Sequence, residues 1–349
     1  MICLLPSVTL AADTWQKLAP VPDAVGFAAP FAGVHNGALI VAGGANFPDR
    51  LPWQGGTKVW HDRIFVLTEP HGKWLEAGRL PIPLGYGVSI VTENGLVCIG
   101  GSDAEKHSSH VFLLRWENGE IIHQPLPPLP QPCANACGAM LEDVLYVAGG
   151  LESPTDTTTL KTFWALDLTQ HAPQWQTLEP WPGQGRMLAT AGVLNGEFYL
   201  MGGCDLKAAA DGKAERLWLK DAYAYRPGAA QGWRKLAQLP RPSVAAPTPA
   251  TSLAENKLVI FGGDDGSQLN TEPDRHPGFP RQPLTYDATK DQWSLASPEQ
   301  QMPFSLVTTS AVTWHGMQII PGGEARPGIR STEVWALPMP DTAANFSTP

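Results

Sequence analysis

The sequence predicts an all-β protein in which six four-stranded sheets form a closed ring, the architecture of a β-propeller. Three observations support this prediction. A short strand ending in Gly-Gly recurs six times, a tryptophan-bearing strand follows most copies, and the composition favours many short strands and turns. The chain contains 35 Gly, 34 Pro and 13 Trp, and 43% of its residues are hydrophobic, so we expect a large core and no long helices.

The repeated strand is apolar and its two glycines follow at once. The intervals between the first glycines are 57, 49, 53, 60 and 60 residues, close to the roughly 50 of a kelch repeat with loop insertions. Glycine suits this position because neighbouring backbones crowd near the axis of such a ring. The six pairs are Gly43-Gly44, Gly100-Gly101, Gly149-Gly150, Gly202-Gly203, Gly262-Gly263 and Gly322-Gly323.

A fourth strand carrying Trp completes most units, and we interpret these tryptophans as packing between blades. They are Trp74, Trp175, Trp233 and Trp293. The second unit is an exception, with residues 120–123 at this place. The sixth unit lacks a fourth strand after residues 334–337. Residues 15–18 resemble residues 233–236, so the N-terminal strand is predicted to join the last blade and close the ring.

We assign residues 13–349 to a single propeller. Residues 1–12 are apolar and end in Leu10-Ala11-Ala12, which resembles the tail of a secretory signal, although no basic region precedes it and Pro6 interrupts it. We therefore expect a possible signal-peptide remnant and a periplasmic protein. No other stretch approaches the roughly 20 apolar residues of a membrane helix.

The charge and the cysteine content limit the kinds of partner, disulfide and metal site that we expect. The formal net charge is −9 and Lys and Arg never run beyond two, which argues against nucleic acid and membrane partners. An anionic ligand must be met by individually placed Arg or Lys. The five cysteines are scattered, and Cys133 with Cys137 lacks nearby His for a zinc site. We expect no disulfide framework and no metal.

The loops that follow Gly-Gly share one face of the ring with the entries to the next units, and this face is where binding and catalysis are expected. One short candidate loop runs from Glu324 to Arg330 and also contains Arg326. Neighbouring guanidinium groups favour the charged form of a carboxylate, and Arg can bind a planar carboxylate through two hydrogen bonds. Spacing alone leaves open a solvated loop ion pair.

Several motifs resemble those of the bacterial N-acetylneuraminate mutarotases, or epimerases, which are periplasmic six-bladed kelch propellers. The segment from Gly323 to Thr332 is similar to that family's Gly-Glu-Ala-Lys-Pro-Gly-Leu-Arg signature. Phe31-Ala32-Gly33 and the stretch from Ala42 to Phe47 resemble a second family motif, and Gly85-Tyr86-Gly87-Val88-Ser89 also fits. The blade order is rotated relative to the family, as in a cyclically permuted branch.

The resemblance implies interconversion of α- and β-N-acetylneuraminate by ring opening and closure, without a cofactor. By this resemblance Glu324 is the proton acceptor, and Arg330 would hold the C1 carboxylate. General acid-base catalysis of this kind contributes about 10²- to 10⁴-fold. A homodimer is also suggested. The loop 46–61 departs from the family's His-Glu-Gly stretch, which leaves the preferred sugar acid open.

Further candidates on the same face are predicted substrate-binding residues or loop anchors. Arg186 corresponds to a family strand-entry arginine and is either a ligand contact or structural. Asp205 and Asp264 are interpreted as turn caps. The remaining candidates are Asn46, Trp53, Lys58, His61 and Arg326.

Two other functions stay open at this point. A non-catalytic kelch module that binds a glycan or protein predicts an exposed apolar patch and a solvated Glu324. An isomerase of a different sugar acid would keep the Glu324 and Arg330 chemistry. A copper radical oxidase would need a Tyr-Cys pair with His ligands, and no convincing set is present.

Overall fold

The computed structural model describes residues 14–339 and confirms the predicted six-bladed β-propeller. Six antiparallel sheets of four strands surround one axis, and consecutive strands in each sheet are hydrogen-bonded neighbours. The predicted leader, residues 1–12, and Cys3 lie outside the described residues. We number the blades 1 to 6 in chain order of their innermost strands.

Each blade takes its strands from one repeat, except the sixth. Blade 1 comprises Phe31–His35, Ala38–Ala42, Arg63–Leu67 and Leu75–Arg79, and blade 2 comprises Val88–Thr92, Gly95–Ile99, Val111–Glu117 and Glu120–Leu126. Blade 3 comprises Cys137–Leu141, Val144–Ala148, Phe163–Asp167 and Gln176–Thr177, and blade 4 comprises Thr190–Leu194, Glu197–Met201, Ala222–Tyr225 and Trp233–Lys235. Blade 5 comprises Thr251–Ala254, Lys257–Ile260, Leu284–Asp287 and Gln292–Leu295, and blade 6 comprises Val312–Trp314, Met317–Arg326, Ile329–Pro338 and Gln16–Leu18.

The N-terminal strand closes the ring, as predicted. Gln16–Leu18 pairs antiparallel with Ile329–Pro338, in the register Gln16 with Ala336 and Leu18 with Val334. A strand from the start of the chain therefore completes the last blade. This pairing gives blade 6 four strands like the other blades, and it covers the edge of strand Ile329–Pro338 at residues 334–336.

The core lies between blades, and the fourth-strand tryptophans join them. The indole Nε1 of Trp175 donates to the carbonyl of Pro127 at 2.8 Å, which lies just beyond the last strand of the preceding blade. Equivalent bonds run from Trp74 to Ala19, from Trp233 to Glu179 and from Trp293 to Ala237. Each indole buries apolar surface and satisfies its one donor, which confirms the packing interpretation.

Blade 2 has a histidine in the place of this tryptophan. His123 pairs with Leu114, the register position at which Trp233 pairs with Tyr225 in blade 4. Its ring stacks on Phe112 with centroids 4.8 Å apart. A mostly apolar cavity of about 360 Å³ adjoins His123 and is lined by Leu80 to Ile82 of blade 1. The exception predicted from residues 120–123 is therefore confirmed.

The loops between blade strands contain two short hairpins and two 3-10 turns. The hairpins pair Ala45–Asn46 with Val59–Trp60 and Cys204–Ala208 with Ala214–Trp218, and 3-10 turns occupy Pro52–Gln54 and Pro298–Gln300. Within residues 14–339, no helix is long and apolar enough to span a membrane. The four described cysteines are buried and unpaired: Cys98, Cys133, Cys137 and Cys204.

Candidate functional site

The residue after each Gly-Gly pair occupies an equivalent place around the axis. In every blade this residue forms an isolated antiparallel bridge with a residue that leads into an innermost strand. Glu324, for example, exchanges backbone hydrogen bonds with Val307 at 2.8 and 3.0 Å. The six equivalent positions are Ala45, Ser102, Leu151, Cys204, Asp264 and Glu324. The pattern places one side chain per blade near the axis, and only the last two positions are acidic.

A closed ring of backbone hydrogen bonds lies directly beside these bridges. Six residues, one at the entry to each innermost strand, all have positive φ between 52° and 62°, and each donates its N–H to the carbonyl of the corresponding residue one blade back. Tyr86, with φ of 62°, donates to Ala29 at 3.0 Å and accepts from Asn135 at 2.8 Å. This ring fixes the inner end of the loop face. Its members are Ala29, Tyr86, Asn135, Leu188, Ala245 and Thr308.

Glu324 and Arg330 form a largely buried ion pair at the tip of blade 6. They lie opposite each other across a hairpin, and Arg330 Nη1 donates to Glu324 Oε1 at 2.7 Å. The side chain of Glu324 is 20% exposed and that of Arg330 is 5% exposed, so the pair is shielded from bulk water. The backbone N–H of Gly328 donates to the same oxygen, Oε1, at 2.7 Å. Hydrogen bonds therefore fix the orientation of this carboxylate.

The loop of blade 1 covers this hairpin. Arg330 Nε donates to the carbonyl of Ala45 at 3.3 Å, and its guanidinium lies 5.0 Å from the centre of the Phe47 ring. The 3-10 turn Pro52–Gln54 packs against Gly328, where an added Cβ would lie 2.6 Å from Pro52 Cγ. Gly328 also has φ of 78°, which favours glycine. The ion pair is thus enclosed by two blades that are distant in sequence.

Lys58 lies beside the pair on two aromatic faces. Its Nζ is 4.0 Å from the ring centre of Tyr86 and 4.7 Å from that of Trp60, within the range of cation–π contacts. Burial and the neighbouring Arg330 charge lower the pKa of Lys58 to about 8, although Glu324 opposes the shift. Burial raises the pKa of Tyr86 to about 12, so its hydroxyl stays protonated at neutral pH. The site therefore combines one carboxylate with two nearby cations.

Asn46 and His61 support the blade 1 hairpin. His61 Nε2 lies 2.7 Å from Asn46 Oδ1, and the amide nitrogen of buried Asn46 donates to the carbonyl of Gly26 at 3.0 Å and to Asp23 at 3.3 Å. Burial lowers the pKa of His61, which favours the neutral ring. Because these polar atoms bind each other, Asn46 and His61 fix the hairpin whose ends carry Phe47 and Lys58.

Arg186 lies apart from this cluster. Its side chain is fully buried, and it donates to the carbonyl of Gly202 and to Asp221 Oδ2, both at 2.9 Å. The guanidinium therefore binds within blade 4 and does not reach the surface of the loop face, while the backbone carbonyl of Arg186 accepts from Gly150 N of blade 3 at 2.8 Å. Of the two sequence interpretations of Arg186, the geometry supports the structural one.

The remaining candidates lie at the edge of the site or outside it. Arg326 is half-buried and makes one long bond, 3.5 Å, to the carbonyl of Asp274. Trp53 is 37% exposed on the 3-10 turn above Gly328. Asp264 accepts from Gly266 N at 2.9 Å, as predicted for a turn cap. Asp205 lies in the hairpin strand Cys204–Ala208, where its Oδ1 accepts from Leu206 N at 2.8 Å and from the hydroxyl of Thr159 in the loop of blade 3. Asp205 therefore joins two loops instead of capping a turn.

Sequence reasoning missed the roles of Tyr86, Trp60 and His276. Tyr86 appeared only within a resembling motif, and its positive φ has no sequence signature for a non-glycine residue. His276 is buried near Asp264, Arg326 and Glu324, and burial is the main cause that lowers its pKa. The one sequence signal for Trp60 is its place two residues after Lys58, the spacing that puts two side chains on one face of an extended segment.

The opposite side of the loop face is apolar. A cluster of buried side chains extends across the mouths of blades 3 to 5, and Leu151 and Cys204 occupy the positions equivalent to Glu324. The cluster comprises Leu151, Met187, Cys204, Leu206, Val244, Ala245, Phe279 and Val307. Polar chemistry is therefore concentrated where blades 6, 1 and 2 meet.

This arrangement is suited to acid-base chemistry on an anionic ligand. Among the hydrogen bonds of residues 14–339, both that reach the Glu324 side chain end on Oε1, so Oε2 is available to accept a proton. Lys58 adds a positive charge that no carboxylate within 4.0 Å neutralises in the described part of the chain. An oriented base beside a cation can bind an acid and move a proton on it.

Comparison with known proteins identifies relatives of one kind. The family described as N-acetylneuraminate epimerase matches residues 7–122 and 126–273, which is more than half of the chain. A protein named N-acetylneuraminate epimerase from Yersinia enterocolitica is 28% identical over 250 residues, covering 64% of this chain and 59% of that protein. One of the same name from Vibrio cholerae is 34% identical over 124 residues, covering 31% and 32%. The aligned part thus spans less than two thirds of these relatives.

A solved structure titled "Structure of YjhT" matches the fold. Its TM-score is 0.65 at 15% sequence identity, and the match covers 93% of this chain and 98% of the other. At this identity the similarity shows the propeller fold alone. The Glu324–Arg330 hairpin lies beyond the residues that the family match covers.

Proposed function

We propose, from the premise that this chain belongs to the N-acetylneuraminate epimerase family, that it interconverts the α and β anomers of N-acetylneuraminate or a closely similar sugar acid. The reaction opens the pyranose ring at the anomeric carbon and closes it on the other face. It requires removal of the proton from the anomeric hydroxyl and delivery of a proton to the ring oxygen. A fixed base and a proton source are therefore the minimum that the protein must provide.

The observation that carries this proposal is the oriented, largely buried carboxylate of Glu324. Two hydrogen bonds hold Oε1, from Arg330 and from Gly328, and the second oxygen is left for the substrate. In this proposal Glu324 takes the anomeric hydroxyl proton, and the ring oxygen receives a proton from water or from a neighbouring acid. Holding the base in one orientation avoids the entropy cost of aligning it in each turnover.

Arg330 has a different role from the one that family resemblance implies. Its Nη1 binds Glu324 and its Nε binds the carbonyl of Ala45, and only 5% of its side chain is exposed. A guanidinium with these partners keeps Glu324 in place and stabilises its charge. We therefore propose Arg330 as a positioning residue for the base.

A glycan- or protein-binding module remains the second candidate. It predicts an exposed apolar patch on the loop face, whereas the apolar cluster of blades 3 to 5 is buried. It also predicts a solvated Glu324, whereas this side chain is only 20% exposed. Both observations favour the enzyme.

The test is proton NMR of α-N-acetylneuraminate freshly released by a sialidase. We expect wild-type protein to accelerate relaxation to the anomeric equilibrium above the uncatalysed rate, in proportion to protein concentration. Heat-denatured protein is the control for buffer and general base catalysis. If relaxation is as slow with native protein as without it, this substrate is wrong, and other 2-keto sugar acids are tested in the same way.

A further inference from the structure

The substrate proposed above carries a carboxylate directly on its anomeric carbon, so the site needs a cation that is free to bind it. Arg330 is the obvious candidate by sequence. Its guanidinium, however, is already bound to Glu324 Oε1 at 2.7 Å and to Ala45 at 3.3 Å. Breaking this pair to bind substrate would leave the base without its partner in a shielded site, which is unfavourable.

Lys58 has the opposite properties. Its ammonium is half-buried, lies on the faces of Tyr86 and Trp60, and forms no ion pair with a carboxylate among residues 14–339. Aromatic faces attract the ammonium but use none of its three N–H donors. The site therefore holds a partly desolvated cation whose hydrogen-bonding capacity is unused.

The charged groups around Lys58 in the described part of the chain form no ion pair with its ammonium. Arg330 and Glu324 are the charged neighbours that affect it electrostatically, and they are bound to each other. A cleft of about 460 Å³ beside Lys58 is also lined by Asp103 and Glu105. Asp103 Oδ1 accepts two backbone N–H bonds of its own loop at 2.8 Å, and Glu105 is exposed. The cleft gives a ligand access to the ammonium.

We propose that Lys58 binds the substrate carboxylate, while Arg330 stays with Glu324 as its positioning partner. This proposal rests on the proposed function and names the residue that selects for an acid over a neutral sugar. The anchoring cation belongs to blade 1 and the base belongs to blade 6, so the sugar bridges two blades. Tyr86 and Trp60 hold the ammonium, and Trp60 also lines the cleft beside it.

Protonation of Lys58 gives the proposal a pH signature. The pKa of about 8 means that the ammonium is charged at pH 7 and loses its proton as pH rises through 8. Tyr86 does not titrate in this interval, since its pKa is about 12. Affinity for the acid is therefore expected to be constant from pH 6 to 7 and to fall about tenfold per pH unit well above pH 8.

The test compares two ligands in wild type and three variants. N-acetylneuraminate and its neutral methyl ester are titrated by saturation-transfer NMR into wild type, Lys58→Met, Lys58→Arg and Arg330→Met, at pH 7. We expect Lys58→Met to weaken binding of the acid about 10- to 100-fold, the range of a charged hydrogen bond, and to leave the ester within about twofold. Lys58→Arg retains the preference for the acid, and its affinity no longer falls between pH 8 and 9.5.

Three results would overturn the proposal. Equal loss of acid and ester by Lys58→Met would show that Lys58 only supports the packing of Tyr86 and Trp60. Loss of the preference for the acid in Arg330→Met, with that preference intact in Lys58→Met, would show that Arg330 binds the substrate carboxylate. A wild-type protein that binds the acid no better than the ester would exclude any carboxylate clamp. Catalysis by wild type is measured separately, so a failure of this proposal is distinct from a failure of the proposed function.

Discussion

Blades 5 and 6 each carry an acidic residue directly after Gly-Gly, and the two carboxylates have different partners. Asp264 accepts a hydrogen bond from Gly266 N within its own loop. Glu324 is held by Arg330 across its hairpin and by Gly328. The two backbones make the same bridge to the preceding strand entry. Equivalent position therefore does not give equivalent chemistry, because the loop that follows decides what the side chain meets.

Blades 5 and 6 also each have an arginine close to the Gly-Gly pair, and these two arginines bind different kinds of acceptor. Arg241 of blade 5 donates to backbone carbonyls, among them those of Gly262 and Gln282, both at 2.9 Å. Arg330 of blade 6 donates to a carboxylate. The blade 5 arginine stabilises the loop itself, whereas the blade 6 arginine stabilises a charge near the axis. The comparison predicts that blade 5 variants lose stability and blade 6 variants lose activity.

The largest expected effect separates the two acidic residues. Glu324→Gln keeps size and hydrogen bonding but removes the base, so the anomerisation rate should fall by about 10²- to 10⁴-fold. Asp264→Asn, the matched control, retains an oxygen for Gly266 N and should keep the rate within about threefold. Both rates are measured by NMR on α-N-acetylneuraminate. Equal losses in the two variants would break the comparison between blades.

The next effect concerns the two arginines. Arg330→Met removes the partner of Glu324, and we expect kcat to fall roughly 10- to 100-fold, corresponding to the 1.5–3 kcal/mol of a charged hydrogen bond. Arg241→Met leaves several carbonyls without a donor, and it should lower the free energy of unfolding by about 3 kcal/mol or more.

Urea unfolding monitored by tryptophan fluorescence, together with kcat of the folded protein, distinguishes these outcomes. We expect Arg241→Met to retain kcat within about threefold once folded. A drop in kcat for Arg241→Met as large as that for Arg330→Met would show that blade 5 also shapes the reacting site.

The smallest effect is expected at Arg326, which lies in the same hairpin as Glu324. Among residues 14–339 its side chain makes one hydrogen bond, to the carbonyl of Asp274, which is 3.5 Å long, and the residue is half-buried. Arg326→Ala should change kcat/KM by less than about threefold and the free energy of unfolding by no more than about 0.5 kcal/mol. A loss of tenfold or more in kcat/KM would place a third cation in the site.

Much of the candidate site could be predicted because its members share a short loop. Glu324 and Arg330 are six residues apart, and a hairpin after a Gly-Gly strand brings residues at that spacing face to face. Asp264 caps a turn for an equally local reason, since an aspartate oxygen reaches an N–H group two residues ahead. Interactions that extend over a few residues leave a pattern in the sequence.

Arg186 and Lys58 show where such reasoning ends. Both are single cations at the edges of strands or loops, and nothing local distinguishes them. The fold buries Arg186 between Gly202 and Asp221, but it places Lys58 against Tyr86, which belongs to the next blade. Burial and pairing of an isolated charge depend on residues that are distant in sequence, so only the assembled blades decide them.

The sequence by itself determined the number of blades and the strand that closes the ring. Both follow from a repeated pattern of strand, glycine and tryptophan, which reflects backbone sterics and burial along one segment. The tertiary structure decided that Arg330 is paired with Glu324 and that Lys58 instead lies on the aromatic rings of Tyr86 and Trp60. Those choices arise from contacts between blades 6, 1 and 2, which meet only when the N-terminal strand joins the last sheet.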